Sequence, residues 1–267
     1  SQALTLAAQF NPQGALDAGR FGSETARGGE VGARTRLFGG NLALNATAFY
    51  YEYKDLQVQV FDPQTVSLVA DNVGKLRTQG VEADVNWRPT DQLALRGAIA
   101  YTDAKYRDYI GACYQGQTIA QGCTLNADPS TGAFTSQNYG GRTPPKAPKW
   151  AGRAGFTFTQ PVAGGEVVLT SDASYTGRYN FTDTLRPDAV QHSFWKFDAA
   201  LRFNAENDRW HIGVVGRNLS NKLVATSAND IPFTGGTGTG TNTGFVADLS
   251  TFIENPREVF VEVGFRF

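Results

Sequence analysis

From about Glu24 onward, apolar and polar residues alternate with a period of two, the mark of strands that present one face to an apolar environment. The clearest stretch sets Val81, Ala83, Val85 and Trp87 against Glu82, Asp84, Asn86 and Arg88. Near the carboxyl end, Val259, Val261, Val263, Phe265 and Phe267 share one face, with Glu258, Glu262, Gly264 and Arg266 on the other. The pattern predicts nine strands: 24–37, 42–61, a long strand ending near Arg88, one running from Leu93 past Thr102, then 149–159, 167–175, 195–203, 210–214 and 256–267. Residues 1–23, with the turn signal Asn11-Pro12-Gln13-Gly14, read as a loop.

The connections alternate in length. Phe38-Gly39-Gly40-Asn41, Pro89-Thr90-Asp91, 160–165 and 204–208 are brief, and Asp62-Pro63-Gln64-Thr65 is a further turn. The segments 110–148, 182–192 and 220–255 are long. A soluble sandwich has no reason to gather its long loops at one end. A transmembrane barrel has short periplasmic turns and long extracellular loops. The expected fold is therefore all-β, an antiparallel transmembrane β-barrel. Single-chain bacterial barrels close with an even number of strands, so nine strands are expected to be the carboxyl-terminal part of a larger barrel. A start on Ser1, with no methionine among 267 residues, fits a processed or longer chain, and the strand count favours the longer one.

Composition agrees. Mean hydropathy is −0.32 and no apolar run is long enough for a membrane helix. A barrel strand shows lipid only every second residue, so this value is compatible with a barrel. Trp87, Trp150, Trp195, Trp210, Tyr101 and Tyr175 sit near strand ends, where interface girdles form. A formal charge of −1 predicts no nucleic-acid surface.

Candidate chemistry is sparse. There is no G-x-S-x-G and no phosphate-cradling loop, so no enzyme and no cofactor are expected. The histidines His192 and His211 read as structural or solvated. Cys113 and Cys123 lie ten residues apart in a long loop, where an oxidising compartment favours a disulfide over free thiols or a metal pair. Arg34, Arg36, Glu82, Asp84, Arg96, Arg153, Asp172, Asp198, Arg202 and Glu262 fall on the polar face. They either line a wet or plugged lumen or satisfy one another across strands. In the long loops, Tyr106, Tyr109, Tyr114, Tyr139, Arg142 and Phe233 are candidate contacts for an apolar or anionic ligand, and loop-to-loop packing is the alternative.

Several segments resemble one family in the right order: Gly32-Ala33-Arg34-Thr35-Arg36-Leu37-Phe38, Phe49-Tyr50-Tyr51-Glu52-Tyr53-Lys54-Asp55, Asn72 to Glu82 with its Gly80-Val81-Glu82, Pro144-Pro145-Lys146-Ala147-Pro148-Lys149-Trp150, and Arg217-Asn218-Leu219-Ser220-Asn221-Lys222. The last is similar to an N-L-x-D-K motif with Asn221 where aspartate is usual, and Phe267, with Phe265 before it, is similar to a terminal aromatic assembly signal. Together these resemble the TonB-dependent outer-membrane receptors. The resemblance implies a barrel of about 22 strands filled by an amino-terminal plug, with residues 1–267 as its carboxyl-terminal portion and roughly thirteen strands upstream. It implies active import of a scarce nutrient, an iron siderophore or similar, across a bacterial outer membrane, energised through TonB and its inner-membrane complex. Implied partners are outer-membrane lipid and lipopolysaccharide, the plug and remaining strands, TonB and a small nutrient ligand. A passive porin or another small barrel without a plug is the alternative.

Overall fold

The computed structural model describes residues 22–62, 67–72, 74–129, 132–206, 209–231, 234–235 and 246–266. Nine antiparallel strands form one sheet in chain order. They are β1 (Thr25–Leu37), β2 (Leu42–Lys54), β3 (Lys75–Trp87), β4 (Leu93–Asp108), β5 (Trp150–Val162), β6 (Gly165–Thr176), β7 (Phe194–Ala205), β8 (Trp210–Arg217) and β9 (Glu258–Phe265). The sheet is open, β1 and β9 having one neighbour each among the described residues. All four longer connections, 55–74, 109–149, 177–193 and 218–257, leave the same end.

Two expected strands are cut shorter than the alternation implies. Residues 42–61 were expected as one strand, but β2 stops at Lys54, because Asp55 takes a left-handed φ of 56°. The chain then pairs Gln57–Asp62 with Ser67–Asn72 as a separate hairpin, and β3 begins only at Lys75, after Gly74 at φ 71°. The sequence marks the break only faintly, by two successive polar residues, Lys54 and Asp55, between apolar Tyr53 and Leu56. The expected turn residues Pro63, Gln64 and Thr65 lie outside the described residues. The turn expected over 160–165 is tighter: Val162 pairs with Gly165, leaving Ala163 and Gly164 (φ 83°) as a two-residue loop.

Register keeps each face coherent across strands. One row runs Val31, Ala48, Val81, Tyr101, Trp150, and another joins Leu201, Val214 and Val261. These apolar side chains are bare: Val31 is 73% exposed, Val261 66% and Phe265 71%. A contiguous apolar face of that extent is stable only against hydrocarbon. Aromatics mark its outer limit, where Tyr101 lies 4.9 Å from Trp150 and Tyr175 5.1 Å from Trp195. At the opposite end Phe203 packs 5.3 Å from Trp210. Phe265 extends the apolar face to the end of β9, and Phe267 lies outside the described residues.

Candidate functional site

The inner face carries the charges. One register row reads Arg36, Ala43, Asn86, Arg96, Gly155, Asp172, Asp198. Arg96 on β4 grips Asp172 on β6 with both nitrogen and oxygen pairs, Nε donating to Oδ1 at 3.0 Å, while Nη1 donates to Thr157 at 3.0 Å. The pair passes over β5. It does so because residue 155 is glycine: a Cβ there would stand 2.4 Å from Asp172 Oδ1. The same arrangement recurs over β8, where Arg202 on β7 reaches Glu262 on β9 at 2.9 Å above Gly213. His211 adds a 2.8 Å contact from Nε2 to the same carboxylate, so it points inward as its parity predicts.

Asp84 accepts from Asn45 at 2.9 Å, and Asp198 from the Asn218 backbone at 2.7 Å. Six of the ten predicted inward charges are thus paired. Arg34, Arg36, Glu82 and Arg153 are exposed, their side chains with no hydrogen bond or ion pair among the described residues. Phe260 also faces inward, beneath the Arg217 guanidinium 5.2 Å from its ring, and the strand pattern had passed it over.

Above this wall the long connections pack into a canopy with its own interior. Phe181, Ala189 and Ala228 form a buried core with Tyr179, Ala225 and Leu249 against it. Arg186, only 2% exposed, holds Asp188 at 2.8 Å and Asp230 at 2.7 Å. Asp230 also accepts from the Gln115 backbone at 2.7 Å, so one carboxylate ties three connections together. Burial opposes the charge on Arg186, but hydrogen bonds to Asp188 and Asp230 prevail and hold its pKa above the usual guanidinium value. The Arg186 hydrogen bond likewise keeps Asp188 below the ordinary carboxylate range.

Cys113 and Cys123 form a disulfide, with Cα atoms 5.8 Å apart. It braces a three-stranded patch of Ile110–Ala112, Phe134–Asn138 and Leu125–Ala127. Beside it, Tyr109 stacks on Tyr139 with ring centroids 5.2 Å apart, and Tyr106 meets Tyr109 at a tilt, 4.7 Å between centroids. Gly111 makes room: a Cβ there would stand 2.6 Å from the Tyr139 ring and 2.9 Å from that of Tyr109.

The predicted ligand contacts divide accordingly. Tyr106, Tyr114 and Tyr139 are buried. The Tyr139 hydroxyl donates to Ala112 O at 2.8 Å, and burial holds its pKa above the ordinary phenol value, so it stays a donor. Tyr109 is half-buried and Arg142 exposed, its guanidinium 5.4 Å from the Tyr139 ring centre and bonded to Gln137 at 3.0 Å. Phe233 lies outside the described residues. Among the described residues, no group of three His, Cys, Asp or Glu side chains is placed to hold a metal ion.

The Arg217–Lys222 motif closes the base of the canopy. Asn218, buried at φ 46°, donates to Lys222 O and Asn255 O and accepts from Lys222 N, bringing the start and end of the 218–257 connection together. Asn221 Oδ1 accepts from the Arg257 backbone at 3.1 Å, a role an aspartate oxygen also fills.

Residues 2–219 match the family model described as TonB dependent receptor-like, beta-barrel. Over 98 residues, 36% of this chain and 13% of the relative, the sequence is 36% identical to the metal-pseudopaline receptor CntO of Pseudomonas aeruginosa. The fold is similar to that of the ferric yersiniabactin uptake receptor FyuA from Yersinia pestis, at a TM-score of 0.61 and 17% identity, covering 90% of this chain and 29% of that one. It is also similar to the siderophore receptor PiuA from Acinetobacter baumannii, at 0.60 and 20%, covering 89% and 28%. The chain thus spans less than a third of the length of each of these relatives.

Proposed function

Because this chain belongs to the TonB dependent receptor-like β-barrel family of the bacterial outer membrane, we propose that residues 1–267 form the carboxyl-terminal wall and canopy of a plugged barrel of about 22 strands. The whole receptor imports a small, scarce nutrient, and a metal chelate of siderophore type is the best candidate, by analogy with what the similar receptors are named for. The observation that carries this reading is the asymmetry of the sheet. One end bears turns of a few residues, and the other bears a buried, disulfide-braced canopy roofing a charged inner face.

In this reading the bare Arg34, Arg36, Glu82 and Arg153 meet the plug or pathway water, while the paired inward charges stiffen the wall. Tyr109 and Arg142 keep access to solvent and contact the ligand, an aromatic face beside a cation suiting an anionic chelate with apolar groups. Tyr106 and Tyr139 support them from behind. Transport is driven through TonB acting on the plug.

The test is uptake of radiolabelled ferric siderophores and other metallophore complexes by cells whose sole receptor is the full-length protein. Saturable uptake of one complex, abolished when TonB is deleted, is the expected result. Uptake that is linear in concentration and indifferent to TonB would mean a passive pore and overturn the proposal. Arg142→Ala should raise the apparent Kd about tenfold by removing a charge-assisted contact, with normal amounts of receptor in the membrane.

A further inference from the structure

The outward face changes character above the aromatic girdle, and only on one side of the sheet. β5 begins at Trp150, opposite Tyr101, so beyond that row the wall consists of β1 to β4 alone. The strand alternation that points Val31, Ala48, Val81 and Tyr101 outward continues into these extensions. Register then stacks two further outward rows: Gly29, Tyr50, Gln79, Asp103, and above it Arg27, Glu52, Arg77, Lys105. The next row adds Lys54 opposite Lys75.

Five cations therefore share this ledge with three carboxylates, Asp103, Glu52 and, opposite Lys75, Asp108, and the first two are engaged. Asp103 holds Arg77 at 2.7 Å, and Glu52 accepts the Tyr50 hydroxyl at 2.6 Å. Asp108, opposite Lys75 at a register shift, makes no ion pair with it. Arg27, Lys54, Lys75 and Lys105 are left with no carboxylate at ion-pair distance among the described residues. Cations on adjacent strands are about 5 Å apart, and two residues along a strand about 7 Å, so several reach one multivalent anion. Directly below the girdle row lies a shallow apolar trough floored by small residues, Ala33, Ala46, Ala83 and Gly97, between Leu44 and Ile99. Further round the wall, the outward positions at the girdle end, Trp150, Tyr175, Trp195, Gly216 and Val259, carry no charge.

We infer that this ledge and trough form a binding site for a phosphorylated glycolipid of the outer leaflet, its phosphates on Arg27, Lys54, Lys75 and Lys105 and an acyl chain in the trough. Placement selects the occupant. The cations face away from the lumen, so they are turned from any transported ligand, and they sit at headgroup depth above aromatic anchors. An anionic headgroup joined to hydrocarbon satisfies both halves of the site at once, whereas a soluble anion leaves the trough unused. The inference rests on the outer-membrane setting given by the family and not on what the receptor transports.

The test uses the full-length receptor in detergent, with bound bisphosphorylated lipid A counted by native mass spectrometry. The Lys54→Gln, Lys75→Gln, Lys105→Gln triple variant leaves the Arg77–Asp103 pair intact and should retain at least fivefold less lipid A. Unchanged retention in a variant that keeps its heat-modifiable gel mobility would overturn the proposal. If the variant fails to assemble, the wild type decides: dephosphorylated lipid A should bind at least fivefold more weakly than the bisphosphate, and equal binding would refute phosphate recognition. Metal-chelate uptake by the same variant separates the two proposals, since loss of lipid with normal uptake supports this site and leaves the transport reading untouched.

Discussion

The wall and the canopy are built from one chain by opposite rules. In the wall, apolar residues such as Val31, Val261 and Phe265 are bare and charges such as Arg96 and Asp172 turn inward. In the canopy the order is that of a soluble protein, with Tyr139 and Phe181 inside and charge admitted to the interior only where it is matched, as at Arg186. The wall borrows its apolar solvent from the membrane, and the canopy has to make its own. Stability in the first is therefore governed by which face a residue points to, and in the second by specific long-range partners.

This contrast is sharpest at Arg186. Arg186→Ala leaves Asp230 facing a buried gap, and breaking a buried pair costs about 3–5 kcal/mol; the share from Asp188 is smaller because that side chain is 56% exposed. The loss should stay local. Limited proteolysis should cut within the loops 177–193 and 218–257 while the barrel keeps its melting temperature, and a matching drop in barrel stability would break the distinction.

In the wall the decisive variable is parity. Leu201→Arg places a cation against lipid at about 2–4 kcal/mol near the midplane. Ala200→Arg, one residue away and inward, should assemble. Heat-modifiable mobility on gels measures both, and equal behaviour would show that the faces are misassigned.

The canopy's covalent brace comes next. Reducing Cys113–Cys123 releases a ten-residue spacing, worth about 2–3 kcal/mol in the chain-entropy account. Protease sensitivity over 110–138 should rise on reduction, with identical digests counting against a bracing role. Gly155→Ala probes the wall's inner face, because its Cβ would press on Asp172 Oδ1. Overpacking of that kind costs about 1–3 kcal/mol. The barrel's thermal midpoint should fall, and should recover only in part when Asp172→Ala is added, since the Ser171 carbonyl, 2.7 Å from the new Cβ, stays in place.

Acid gives the smallest effect. Asp188 is held below its unfolded pKa, so its contribution is complete above the ordinary carboxylate range, near pH 4, and is lost as pH falls through the lowered value. Hydrogen exchange in 177–193 should accelerate at that point in the wild type and be flat in Asp188→Asn.

These differences also explain what was legible in the sequence. The wall was readable because lipid imposes parity residue by residue: nine strands, the inward His211 and the girdle tyrosines all follow from a period of two. The break at Asp55 shows in the sequence only as the successive polar residues Lys54 and Asp55, because its cause is one backbone angle. The canopy was opaque for another reason. Arg186 and Asp230 are 44 residues apart, and nothing local marks them as partners. The aromatic residues of the long loops could be named as a group, but only packing separates buried Tyr106 and Tyr139 from accessible Tyr109. The motif around Asn218 was visible, while its role, joining both ends of one connection, needed the structure.

The most direct test of the account is nitroxide scanning of β9 in the full-length receptor reconstituted in bilayers, one introduced cysteine at a time over residues 259–264 with the Cys113–Cys123 disulfide kept oxidised, with oxygen as the lipid-soluble relaxer and a nickel chelate as the aqueous one. The account predicts a period of two, with Val259, Val261 and Val263 accessible to oxygen and Phe260, Glu262 and Gly264 shielded from it. Uniform accessibility, or the opposite phase, would contradict a membrane-facing wall.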